Sequence, residues 1–290
     1  MDRTPCMILC VAGQSNAVGY DESYVPADYL EQFDRTRIRQ LGLYGADNRK
    51  VIPLGVCAQS DQDLRPYSDP ANPQPALGTK GIHLPLAQRL LPVAPEGAHL
   101  LVLFCAYGGT GFTVGDAGRY DEAGLRPEPG AWRWGSASPY YRGRKDRISY
   151  VLDQNPDSRL LGVVWIQGEH DSADSAGQIR GFNAMTADFF SFFSARYPGR
   201  VLRGDWNRDI WYNVETVSCW YGVGECARIR DHYRGWNPGT YVEIPRDTDS
   251  NAVNGAGLTA SLRACHFGND AYCRVASPRT AEVMLRRLSK

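Results

Sequence analysis

The chain has 290 residues, and 32 Lys and Arg balance 32 Asp and Glu, for a formal net charge of zero. No field of one sign is available to hold a polyanion, which argues against nucleic acid as a main partner. Hydrophobic residues at 43% and charged residues at 22%, with seven Trp and sixteen Tyr, describe a folded globule and exclude a disordered chain. This length suits a large α/β unit. Neither a linker-like composition nor an internal repeat divides it, so one domain over residues 1–290 is expected.

In chain order, Cys6–Ala12 reads as the first strand, continuously apolar and suited to burial on both faces of a parallel sheet. No charged leader precedes it, so the expected location is the cytoplasm, unless the mature chain starts here. Asp61–Thr79, with Pro66, Pro70, Pro73 and Pro75, is expected to be a long irregular loop. A helix is predicted over His83–Leu91 and a second buried strand over His99–Cys105. The longest apolar run, Leu100 to Tyr107, is far below the roughly 20 residues that cross a bilayer, so no membrane partner is expected.

Thr110–Ser138, rich in Gly, Pro and aromatic residues, reads as a second long loop, followed by a helix over Tyr140–Asn155 and a strand over Leu160–Ile166. In Ala176–Tyr197, Ile179, Phe182, Met185, Phe189, Phe190 and Phe193 recur at helical spacing as core packing. Val201–Gly204 and Tyr241–Ile244 are further strand candidates, and Pro278–Leu288 ends the chain as a helix. Strands alternating with helices imply a three-layer α/β/α sandwich around a central parallel sheet. Among the eight cysteines, Cys219/Cys226 and Cys265/Cys273 have spacings that permit bridges, and no C-x-x-C suggests zinc.

Three strand ends carry the chemistry. The first strand runs into Gly13-Gln14-Ser15-Asn16, where a serine opening a helix sits among exposed N–H groups suited to an oxyanion. The bland alternative is Ser15 as a helix N-cap. The segment is not the G-x-S-x-G elbow, because Ala17 stands two residues after Ser15. The second strand ends at Gly108-Gly109-Thr110, where glycine admits close backbone approach to a ligand, or simply makes a tight turn. The third runs into Gln167-Gly168-Glu169-His170-Asp171, an amide and two carboxylates at one edge. Neighbouring residues do not point together, so Glu169, His170 and Asp171 are not expected to hold a metal.

Together these segments resemble the SGNH hydrolase superfamily, within it the sialate O-acetylesterase branch. That branch carries G-Q-S-N, G-G-[ST] and Q-G-E-x-D in this order, and shares Val51-Ile52-Pro53-Leu54, Arg133-Trp134-Gly135 and the Leu262–Phe267 run. The resemblance implies a flavodoxin-like sheet and a serine esterase without cofactor or metal. It makes Ser15 the nucleophile and His266 its base. The oxyanion donors would be the N–H groups of Ser15 and Gly109 and the side-chain amide of Gln167. The other histidines, His83, His99, His170 and His232, match no catalytic position.

Two departures stand out. Most superfamily members place an Asp three residues before the histidine, and here that position is Arg263. A Ser15–His266 dyad steadied by a backbone carbonyl, or by another carboxylate such as Glu169, is therefore expected, with Asp249 and Asp270 as alternatives. Tyr107 stands where the sialate relatives carry an arginine. Around Trp132, Arg133, Trp134, Tyr140 and Tyr141 the loop has the composition to stack on a sugar and bind its carboxylate, or simply to pack over the site edge. The expected partner is a small molecule or glycan bearing O-acetyl groups, foremost 9-O-acetylated N-acetylneuraminic acid. Acetylated xylan, a bacterial surface polysaccharide, or a catalytically silent carbohydrate-binding role are the alternatives.

Overall fold

A computed structural model of the chain describes residues 4–19, 28–42, 47–53, 80–113, 133–246, 248, 266–268 and 271–289. Seven strands form one sheet in the order β3-β2-β4-β1-β5-β6-β7. They are β1 (Cys6–Gly13), β2 (Ile38–Leu41), β3 (Val51–Pro53), β4 (His99–Ala106), β5 (Arg159–Ile166), β6 (Trp211–Val214) and β7 (Tyr241–Val242). The pairs β2/β4, β4/β1, β1/β5, β5/β6 and β6/β7 are parallel, whereas β3 pairs antiparallel with β2 at the edge. The expected parallel sheet therefore carries an antiparallel edge strand.

Continuous apolar runs became strands because both faces of the sheet are covered. Met7, Leu9 and Val11 of β1 enter one core, and Cys6, Ile8, Cys10 and Ala12 enter the other. Helices α2 (His83–Leu90) and α6 (Ser277–Leu288) cover the first face with Leu86, Leu90, Met284 and Leu288. The second face is covered by α3 (Pro139–Gln154), α4 (Ser175–Arg196) and α5 (Cys226–Trp236). On α4, Phe182, Met185, Phe189 and Phe193 are buried and Ile179 and Phe190 half-buried, as the helical spacing requires. The three layers are thus as the alternation predicts.

Departures from the predicted elements are local. Val201–Gly204 contributes only one bridge, Val201 to Leu160, and the strand expected at Tyr241–Ile244 shortens to Tyr241–Val242. Strands β2, β3 and β6 were not expected: four residues or fewer, interrupted by Arg39, Gln40 or Asn213, leave no apolar run to read. Helix α5 was missed because its charged face outnumbers the buried Cys226, Ile229, Tyr233 and Trp236. The Asp61–Thr79 loop lies outside the described residues, as does most of Thr110–Ser138. Ser138 accepts N–H bonds from Tyr140 and Tyr141 and so caps α3.

One glycine sets how the sheet ends. Gly13, at φ +133°, pairs with Ala106 on one side and Ile166 on the other. A Cβ there would lie 2.0 Å from the Ile166 carbonyl oxygen, so no larger residue fits. Gly143, inside α3, has nothing within 4 Å of a built Cβ. We expect Gly13→Ala to destabilise by about 3 kcal/mol or more in urea unfolding. Gly143→Ala should stabilise by about 0.5–1 kcal/mol, since only helical backbone entropy changes.

Candidate active site

The register places the three motif-bearing strand ends side by side, with β1 between β4 and β5. The Gln14 N–H donates to the Ile166 carbonyl at 2.9 Å, and the Tyr107 N–H donates to the Gly13 carbonyl at 3.0 Å. Ligands of open parallel sheets sit beyond such carboxyl ends. Ser15 is the first residue of the short helix α1 (Ser15–Val18), and the cap position before it is Gln14. The hydroxyl of Ser15 is therefore not used as the N-cap.

Asn16 is the hub that joins Ser15 to the distant end of the chain. Its Nδ2 donates to Glu169 Oε1 at 2.8 Å and to Thr216 Oγ1 at 2.7 Å. Its Oδ1 accepts the Phe267 N–H at 3.1 Å, and its carbonyl accepts the Tyr272 hydroxyl at 3.1 Å. Phe267 is fully buried and His266 beside it is half-buried. The neighbourhoods of Ser15 and His266 are linked through Asn16.

Glu169 does not fill the role the sequence suggested. It is 1% exposed, and Oε1 accepts from both Asn16 and the Thr216 hydroxyl, the latter at 2.5 Å. Its Oε2 is buried without a hydrogen-bond partner. Glu169 thus steadies Asn16, which in turn holds the Phe267 N–H beside His266. Burial pushes its carboxyl above the usual range, against the opposing pull of the Asn16 and Thr216 bonds. Arg263, Asp249 and Asp270 lie outside the described residues.

Asp171 ties the β5 edge to the glycine loop. Fully buried, it accepts from the N–H groups of Phe112 and Thr113, from Thr113 Oγ1, and from Gln167 Nε2 at 2.5 Å. Burial raises its carboxyl too, opposed by these donors. Gly109 sits at φ +69°, the left-handed region that turns its loop back over the sheet edge. Gln167 accepts from Gln178 and Tyr233, both at 3.0 Å, and its Nε2 is given to Asp171 and, at 3.4 Å, to Gln14 Oε1. Gln14 Oε1 also accepts the Gly168 and His170 N–H groups at 3.3 Å each. Both hydrogens of the Gln167 amide are thus directed at protein acceptors.

The residues read either as a sugar surface or as packing over the site edge are in part packed away. Trp134 is 3% exposed and Tyr141 fully buried, so neither offers a face for stacking. Tyr107 and Tyr140, both half-buried, stack on each other at 3.9 Å beside the Gly108–Gly109 turn. Arg133, which precedes Trp134, is half-buried, and Trp132 lies outside the described residues. No group of three or more His, Cys, Asp or Glu able to hold a metal occurs among the described residues. Glu169 and Asp171 face different partners, as their adjacency suggested. Cys226 presents its thiol to the Gly168 carbonyl at 3.6 Å, so no Cys219–Cys226 bridge forms, and Cys265 lies outside the described residues.

Of the remaining histidines, His83 packs on Phe104 and His232 pairs with Asn183 Oδ1. His99 begins β4, at the opposite end of the strands, and His170 follows β5 at the same edge as Ser15. Sequence reasoning missed Gln14, Asn16, Asp171 and Thr216 as site-building residues. Three of them lie inside the motifs, but Thr216 follows β6, which has no signal of its own.

No protein-family model matches the chain. The probable 9-O-acetyl-N-acetylneuraminic acid deacetylase of Escherichia coli (strain K12) is 36% identical over 194 residues, which is 63% of this chain. The match spans 59% of that curated relative's length. The crystal structure of NanS superimposes with a TM-score of 0.78 at 27% identity, covering 99% of this chain and 98% of NanS. The chain is similar to both. Its resemblance to the sialate O-acetylesterase branch is thus matched in sequence by the first and along nearly its whole length by NanS. A protein from Arabidopsis thaliana, 15% identical, shares the fold with a TM-score of 0.60 over 98% of this chain.

Two substitutions separate the roles of Glu169. Glu169→Gln keeps the Oε1 acceptor and should hold its melting temperature at neutral pH, whereas Glu169→Ala should lose about 2–3 kcal/mol by leaving buried donors unmet. The native state holds the Glu169 proton at pH values where the unfolded chain has released it. Stability should therefore fall as pH rises from about 4.3 through the raised value, and Glu169→Gln should flatten that part of a melting-temperature profile.

Proposed function

We propose that residues 1–290 act as one serine esterase domain that removes O-acetyl groups from a carbohydrate, with Ser15 as nucleophile and His266 as general base. The observation that supports this most is the in-register meeting of the Gly13–Asn16, Gly108–Thr110 and Gln167–Asp171 segments, with Asn16 drawing in the residue after His266. The Ser15 hydroxyl gives its proton to His266 as its Oγ bonds to the acetyl carbon. The carbonyl oxygen gains the electron pair and is met by the N–H groups of Ser15 and Gly109. Collapse breaks the ester bond, the sugar oxygen takes the proton from His266, and an acetyl-enzyme remains. Water then attacks the acetyl carbon, giving its proton to His266, and acetate leaves as Ser15 regains its hydrogen.

Gln167 enters this scheme by an exchange. Its contact to Gln14 at 3.4 Å is the longer of its two donations, so that hydrogen is the one turned to a developing oxyanion. The 2.5 Å contact to Asp171 holds the amide in place meanwhile. Asn16, gripping the Phe267 N–H, orients the segment that carries His266.

The substrate we propose is 9-O-acetylated N-acetylneuraminic acid, the compound class in the name of the Escherichia coli relative. Half-buried Arg133 is the local cation for its single carboxylate, and the Tyr107–Tyr140 pair is the aromatic surface for its ring. A neutral chain suffices, because one carboxylate needs one cation and no global field.

Acetate release from 9-O-acetylated N-acetylneuraminate, acetylated xylan and an aryl acetate tests both levels. Ser15→Ala and His266→Ala should each abolish turnover, by about 10⁴-fold or more, while His170→Ala stays near the wild type. Equal rates on all three esters would overturn the sialate assignment alone. Release that persists in Ser15→Ala would overturn the mechanism.

A further inference from the structure

We propose that Trp134 and Thr110 are positioning residues that hold the Gly109 N–H for the oxyanion, an inference that rests on the esterase reading above. Thr110 is fully buried in the turn that presents Gly109. Its hydroxyl has a single proton, which it donates to the Tyr107 carbonyl at 2.7 Å, closing a loop around Gly108 and Gly109. The same oxygen accepts the Trp134 indole N–H at 3.0 Å. The Trp134 backbone N–H donates in turn to the Gly111 carbonyl at 2.7 Å. One buried residue therefore grips Thr110 and the residue after it.

The indole is itself held from behind. Trp134 meets Trp165 edge-on at 4.9 Å, and the Arg144 guanidinium lies 5.3 Å from the Trp134 ring centre. Arg144 is fully buried, and none of its nitrogens has a hydrogen-bond partner. Its charge faces rings, including those of Tyr141 at 5.2 Å and Trp211 at 4.9 Å. Desolvated cation–ring contacts are the strong ones, so rotating the indole would strip the cation of a partner it has no means to replace. On the far side of the loop, Asp171 fixes Phe112 and Thr113. Asp171 anchors the loop's exit, whereas the Trp134–Thr110 link reaches the Tyr107 carbonyl ahead of the glycines. Displacement of a catalytic group by about 1 Å costs on the order of 100-fold, so this link acts on rate through geometry.

The test uses the full chain and an aryl acetate, first confirming Ser15-dependent acetate release. Thr110→Val removes both hydroxyl bonds at nearly constant volume and should lower kcat by about 100-fold with KM little changed. Trp134→Phe keeps a ring but loses the N–H, and a smaller loss in kcat is expected. Thr110→Ser should restore kcat to near the wild type. The double variant Thr110→Val/Trp134→Phe should be no slower than Thr110→Val, because both act through one link. Hydrogen exchange over residues 107–113 supplies a readout independent of activity: faster in Thr110→Val and unchanged in Thr110→Ser. Unaltered kcat and unaltered exchange in Thr110→Val would overturn the proposal. Absence of Ser15-dependent release in the wild type would overturn the esterase reading, leaving hydrogen exchange to decide the link by itself.

Discussion

The candidate site depends on how closely the carboxyl ends of β4, β1 and β5 lie together. Gly13 is the residue at which all three meet, paired with Ala106 and Ile166. With no side chain it lets the Ile166 carbonyl come where a Cβ would stand, and the Gln14 N–H then bonds that carbonyl. Motifs far apart in sequence become neighbours in one edge of backbone. Everything polar that follows is built on that edge.

The second layer is a set of buried polar groups arranged so that nearly every donor has a named acceptor. Asn16, Glu169 and Thr216 form one cluster, and Asp171, Gln167 and the Phe112–Thr113 backbone form another. Burying two carboxylates is costly, as the raised position of both acids reflects. The return is geometric. Asn16 fixes the segment of His266 against the helix of Ser15, and Asp171 fixes the loop of Gly109 against the β5 edge. A third support comes from the aromatic cage around Arg144, which immobilises Trp134 by cation–ring contact. The glycine loop is thus held by charge-assisted hydrogen bonds on one side and packing on the other.

Much of this was legible from residues alone. The long buried strands, four of the five longer helices and the three motif-bearing strand ends follow from apolar runs and helical spacing, whereas α5 does not. Short strands did not, because β2, β3 and β6 are four residues or fewer and owe their state to sheet pairing. Residue types in the site were readable, but their directions were not. Trp134 looked like a sugar-stacking residue and is instead buried with its N–H committed to Thr110. Glu169 looked like the carboxylate for His266 and is committed to Asn16 and Thr216. A loop composition reports that aromatic and charged groups are present, and not which face they turn to solvent.

By itself, then, the sequence determined the sandwich architecture, the neutrality that disfavours a polyanion, and the three strand-end motifs. Those are properties of periodicity, composition and local spacing, and they survive without knowing where the chain goes. Tertiary structure decided who bonds whom: Asn16 to the residue after His266, Asp171 to the glycine loop, and Trp134 to Thr110. Each of those contacts joins segments from different parts of the chain. Their partners are chosen by strand order and register, which no local pattern encodes.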